Sequence, residues 1–220
     1  CSTRDDRYIP LNGDSQISNF GLVSTGIKLR NKGQFLLAAG GRNGFQVFSD
    51  TDAAKGRSRL ISAGGNRNPL TTLAGGILAG ETEADDRVFI AATAVSDSNS
   101  AHAVYLFVQS ENYLANFVRI ACIENSKGFG FGGAMLARDL DGDGTDEFIV
   151  GSSHVLERHE DAVYILDVNA VAEAAADASA CMDISSGDIP YLAKLTPVEG
   201  DKNIQCTENC SFGASLAAGD

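Results

Sequence analysis

Tryptophan is absent from this chain of 220 residues, and no apolar run approaches the ~18 residues that a membrane-spanning helix needs. Positive charge is scarce as well: 17 Lys and Arg stand against 29 Asp and Glu, a formal net charge of −12. Nucleic acid and anionic membrane would both repel such a surface, so neither is expected as a partner, whereas divalent cations and basic or neutral partners remain compatible. The motifs of the commoner chemistries are also missing. There is no G-x-S-x-G, no H-E-x-x-H and no glycine-rich phosphate loop, and a non-enzymatic role is the expectation. Of the three histidines, His154 and His159 fall in a charged stretch with Glu157, Arg158, Glu160 and Asp161, a spacing that matches no ligand pattern and reads as a polar loop. The five cysteines (Cys1, Cys122, Cys181, Cys206 and Cys210) are an odd number. Cys206 and Cys210 are close enough in a polar stretch for a local disulfide, with two free thiols as the alternative, and they lack the second ligand pair of a zinc site.

What is present is glycine, at 24 positions, and short runs rich in Val, Ile, Phe and Tyr bounded by Gly, Asn, Asp and Ser. That pattern is the signal of a turn-rich β protein. One stretch carries chemistry. Asp139-Leu140-Asp141-Gly142-Asp143-Gly144-Thr145-Asp146-Glu147 leads straight into the strand-like Phe148-Ile149-Val150-Gly151. A hard cation such as Ca²⁺ takes about six to eight oxygens. Asp139, Asp141 and Asp143 can offer carboxylates, Thr145 its backbone carbonyl and Glu147 a closing carboxylate, while Gly142 and Gly144 allow the φ > 0 turns that a loop around an ion requires. An EF-hand is excluded, because its twelfth position must be Glu and here it is Val150.

Upstream, Phe131-Gly132-Gly133-Ala134-Met135-Leu136-Ala137-Arg138 leads into Asp139, so the unit reads F-G-x-x-x-L-A-x-D-x-D-G-D-G-x-x-E-F-I-V-G. This closely resembles the FG-GAP repeat of integrin α-subunit propellers and of bacterial surface proteins that carry it. The unit recurs, which is the mark of a repeat architecture. Leu73-Ala74-Gly75-Gly76-Ile77-Leu78-Ala79-Gly80-Glu81 matches Phe131 to Asp139, Phe212 to Asp220 matches it again, and a weaker copy starts at Phe20-Gly21.

The resemblance implies an all-β chain, a propeller of the integrin-α type with about three four-stranded blades and partial blades at its ends. The expected divisions are 1–18, the tail of a preceding blade; 19–64, a blade with a degenerate loop; 71–123, a blade with an eroded loop; 129–197, a blade with an intact loop; and 211–220, the start of another. Strands are expected in the third unit at 131–138, 147–152, 161–167 and 190–196, and fourth strands in the first two at Arg59–Ala63 and Asn116–Ile123. Val168–Ala178, rich in alanine, reads as a short helix inserted between third and fourth strands. In the eroded loop Glu81, Glu83 and Asp85 stand at the ligand positions without the glycines, and Asp220 would be the first ligand of a further loop. Lys28-Leu29-Arg30 replaces the acids of the first, where turn contacts or a basic side chain take the ion's place. The chain is expected to be a piece of a longer propeller, secreted or on a cell surface, stabilised by Ca²⁺ and binding a protein or glycan ligand on the face opposite the calcium loops, where 93–101 and 152–161 lie. Remaining blades of the same chain are its other expected partners. The alternatives are a non-catalytic propeller appended to a secreted enzyme such as a phospholipase D-like hydrolase of glycosylphosphatidylinositol anchors, and a structural spacer.

Overall fold

A strand buried on both faces needs near-continuous apolar sequence, and the middle of this chain supplies it: in Val88-Phe89-Ile90-Ala91-Ala92 every residue is buried. The computed structural model describes residues 17–30, 35–49, 61, 69–95, 102–110, 116–126, 130–153, 161–175, 177–178, 180–197 and 212–218. They form a mostly β structure of three sheets with one α-helix. The first sheet is β1 (Ser18–Lys28), β2 (Phe35–Arg42) and β3 (Gly44–Ser49), in that order. Ile61 adds a bridge to Phe45 through two backbone hydrogen bonds of 3.0 Å, at the place expected for a fourth strand. The second sheet runs β4 (Leu70–Leu78), β5 (Arg87–Val95), β6 (His102–Gln109) and β7 (Phe117–Glu124). The third runs β8 (Phe131–Arg138), β9 (Glu147–Ser152), β10 (Ala162–Leu166) and β12 (Ala193–Leu195), all antiparallel. Between β10 and β12 lie α1 (Val168–Ala174), β11 (Cys181–Asp183) and a 3₁₀ turn at Ile184–Ser186. Among the described residues the sheets do not close into a ring.

The three sheets stack through two cores, and the second sheet contributes a face to each. Phe89, Ala91, Val104 and Leu106 pack with Phe131, Phe148, Val150 and Tyr164 of the third sheet. Val88, Ile90, Ala92, Tyr105 and Phe107, pointing the other way as strand alternation demands, pack with Ile27, Leu36, Phe45 and Val47 of the first. Edge-to-face ring pairs stitch each junction: Phe89 with Phe148 at 6.4 Å and Phe45 with Phe107 at 5.4 Å. The first strands of the sheets lie side by side, β4 between β1 and β8. Such close approach is possible because β4 carries Gly75 and Gly76: a Cβ on Gly75 would run into Ile27, and one on Gly76 into Ala137 and the Phe89 ring.

The helix is shorter than the alanine run that suggested it, ending at Ala174 rather than Ala178. Asp167 caps its start, accepting from the N–H groups of Asn169 (2.8 Å) and Ala170 (3.3 Å), and Val168 and Val171 are its buried residues. A helix this short depends on its packed face, and the two valines anchor only its first turn. Its place is set by register. Leu166 pairs with Phe148, so α1 begins at the same end of the sheet as the 139–146 loop.

The segment after the helix crosses to the second sheet. β11 pairs in parallel with β7, Cys181 opposite Cys122, Met182 opposite Ile123 and Asp183 opposite Glu124, making a fifth strand on the second sheet. A disulfide joins Cys122 to Cys181. Asp183 fastens the far end, accepting from the Ser126 N–H (3.2 Å), the Ser126 hydroxyl and the Ser185 N–H (2.9 Å). Burial alone would push its carboxyl up, but those hydrogen bonds outweigh it and hold the pKa below the ordinary value. A depressed folded-state pKa contributes stability above the unfolded value of about 3.9 and loses it as pH falls through the lower folded value. Asp183→Asn should therefore cost about 1 kcal/mol near neutrality, a figure reduced for partial exposure, with a gap to the wild type that closes below about pH 4. Urea unfolding of both proteins across that range measures it, and a gap independent of pH would contradict the assignment.

Candidate metal centre

The loop between β8 and β9 turns tightly because Gly142 and Gly144 adopt φ of +84° and +90°, a region closed to most side chains. The positive φ of the Phe-Gly glycine also recurs from unit to unit, at Gly21 (+85°), Gly132 (+76°) and Gly213 (+80°). Within the loop each acid takes a backbone N–H. Asp139 accepts from Gly142 (2.7 Å) and Gly144 (2.9 Å), Asp141 from Asp143 (3.1 Å), Asp143 from Thr145 (2.7 Å) and Glu147 from Leu140 (2.7 Å). The turns these bonds make bring carboxylate oxygens of Asp139, Asp141 and Glu147 within 4.8 Å of one another. Asp143 is outside that group, its side chain engaged with the Thr145 N–H.

Glu147 is the buried member and Asp141 the exposed one. Burial raises the Glu147 pKa, the charges of Asp141 and Asp143 add to the rise, and the Leu140 N–H opposes it. An ionised carboxylate is thus held where water compensates it poorly and where its neighbours repel it. The donor set, three carboxylates with no sulfur or imidazole, suits a hard divalent cation rather than a soft one. Asp139, Asp141 and Glu147 would hold it, and it would supply the positive charge that the cluster lacks.

The back of this loop belongs to the junction between the second and third sheets. Asp146 exchanges two bonds with Ile77 of β4: its N–H donates to the Ile77 carbonyl and its carboxylate accepts from the Ile77 N–H, each 2.7 Å. The Thr145 hydroxyl accepts from the Ala79 N–H at 3.2 Å. Asp146 is half-buried by this docking, which raises its pKa against the opposing Ile77 hydrogen bond. Whatever stiffens the loop therefore stiffens the contact between the second and third sheets.

The equivalent loop of the second sheet is built differently. Leu78 pairs with Arg87 and Arg138 with Glu147, so both connections span eight residues, 79–86 and 139–146. Counted from those pairs, Glu81 and Glu83 fall opposite Asp141 and Asp143, Asp85 opposite Thr145, and Arg87 opposite Glu147, two places on from the sequence alignment. The three acids do not form a converging group, and Asp85 accepts from the Thr82 hydroxyl (2.6 Å). Asp86 does the closing work there, accepting from the Gly80 N–H (3.0 Å), the counterpart of Leu140. Its partner is Arg30, which follows β1 and donates to Asp86 through two guanidinium nitrogens, Nε at 2.8 Å. Asp220, Cys206, Cys210 and residues 154–160 lie outside the described residues.

The Cys122–Cys181 disulfide and the docking of Asp146 were not read from the sequence. The cysteines are 59 residues apart with no spacing motif, and the one pairing the sequence suggests is the local Cys206–Cys210. Comparison with models of known protein families, with curated proteins and with solved structures returned no match.

Proposed function

We propose that this chain is a calcium-stabilised binding module of a secreted or cell-surface protein, built as part of a β-propeller of the FG-GAP type, and that it serves adhesion or ligand recognition. The observation that carries the reading is the convergence of Asp139, Asp141 and Glu147 in a loop whose back edge is bonded to the neighbouring repeat. In this arrangement calcium is structural. It neutralises the cluster, orders the loop and firms the junction, and it leaves the opposite ends of the sheets free to present loops to a protein or glycan. The stacked sheets with adjacent first strands support the propeller, and the disulfide supports a location outside the reducing cytosol.

Calcium at about a hundred times its Kd should stabilise the protein by about 2.7 kcal/mol. For modules of this kind the Kd is expected at about 10⁻⁴ to 10⁻³ M. Asp141→Ala changes an exposed side chain and should leave the fold intact while abolishing the calcium-dependent rise in Tm. Thermal melts of both proteins over a calcium series decide the matter. A rise of the same size in the variant would remove Asp141 from the site, and no rise in the wild type would end the calcium reading.

A further inference from the structure

Two neighbouring loops pose the same electrostatic problem. In each, a backbone N–H just past the end of the first strand, Gly80 or Leu140, is taken by a carboxylate from the far end of the loop, Asp86 or Glu147. The Asp86 side chain is only 10% exposed, and a carboxylate so enclosed needs a counter-charge. It has one in the bidentate Arg30 guanidinium, which lowers the Asp86 pKa chiefly by hydrogen bonding. Arg30 follows β1, where Leu29 beside it packs, partly buried, against the core between the first and second sheets.

The same guanidinium also reaches the third loop. A Cβ placed on Gly144 would collide with an Arg30 terminal nitrogen, so the charge lies directly against that residue. The Gly144 N–H is bonded to Asp139, one of the three converging carboxylates; the Arg30 pKa is raised chiefly by its hydrogen bond to Asp86, and the charges of Glu83 and Asp139 add to the rise. Placed on the first strand's end, Arg30 thus sits between two acidic loops of two other repeats.

We propose that Arg30 is a built-in cation that replaces the metal of the second loop and, through its position against Gly144, lowers the affinity of the third loop for a divalent ion. The inference rests on the calcium reading of the third loop. A unit positive charge held within several ångströms of a bound divalent ion repels it, and at the partly exposed site found here the effect amounts to about three- to tenfold in Kd. Asp86 moderates that repulsion by pairing with Arg30. The two residues should therefore act in opposite directions when neutralised one at a time.

Calcium titrations by isothermal calorimetry on the folded protein test this, with circular dichroism to show that each variant keeps its strands. Arg30→Gln should bind calcium about three- to tenfold more tightly, Arg30→Lys should stay near the wild type because it keeps the charge, and Asp86→Asn should bind more weakly. The differences should shrink at about 1 M salt, where the screening length falls to ~3 Å. Unchanged or weaker binding by Arg30→Gln, or tightening by Arg30→Lys equal to that of Arg30→Gln, would overturn the proposal while leaving the calcium site standing. Absence of calcium binding in the wild type and all variants would overturn the site and the proposal together. Should Arg30→Gln fail to fold, Asp86→Asn decides alone, and unaltered or tighter binding by it would count against the proposal.

Discussion

Replacing Cys122 and Cys181 together with alanine should lower the stability of the protein by about 4 kcal/mol, the chain-entropy figure for a loop as long as this one. The bridge spans 59 residues, and so ties the fourth strand of the second sheet to a segment that follows the third strand of the next. In a chain of this size the loss should appear as a fall in Tm of about 8–16 °C. Reduction of the wild type should produce the same fall, since both treatments release the same constraint. Calorimetry on the oxidised, reduced and double-alanine proteins measures it. A fall of less than about 2 °C would mean that the parallel ladder and the Asp183 hydrogen bonds hold the strap unaided. The strap's second task is to cover the outer edge of the second sheet, where unpaired backbone groups would otherwise invite association. Loss of the disulfide should therefore also raise the tendency to self-associate.

That strap marks the boundary of what the residues alone could reveal. Strand positions were legible because each strand is a compact apolar run closed by turn residues. β8 and β9 fall on the expected residues, and β7 and β10 lie within a residue of them. The turn-forming role of Gly142 and Gly144 was legible for the same local reason, and both have the positive φ that the loop demanded. Contacts between repeats were not. The parallel pairing of a three-residue β11 with β7 depends on where the chain returns after α1, and nothing in Cys181-Met182-Asp183 specifies that. The loop of the second repeat shows a related limit. Sequence similarity placed Glu81 at the first ligand position, but the pairing of Leu78 with Arg87 sets the loop's true ends, and register is a property of two strands rather than of one. Arg30 was legible only in kind. A basic side chain in the ion's place was expected within the first loop, whereas its guanidinium serves the second and touches the third.

Phe148→Ala should cost about 3–5 kcal/mol, the range for emptying a fully buried aromatic site. The ring has no solvent exposure and meets Phe89 of the second sheet edge to face, so its loss opens the junction rather than one sheet. Collapse into the gap is limited, because the neighbouring strands are paired on both sides: β9 is hydrogen-bonded to β8 and β10. Val118→Ala, at a position 54% exposed on β7, should change stability by less than about 0.5 kcal/mol and serves as the control. Because Phe148 directly follows Glu147, the cavity should also loosen the carboxylate that closes the cluster. On the calcium reading proposed above, the variant is expected to bind the ion more weakly even under conditions where it remains folded, and Val118→Ala to bind it normally. Urea unfolding and calcium titration of the two variants test both halves. If Phe148→Ala loses the stability but keeps the full calcium affinity, the loop is organised by its own hydrogen bonds and is independent of the packing beneath it.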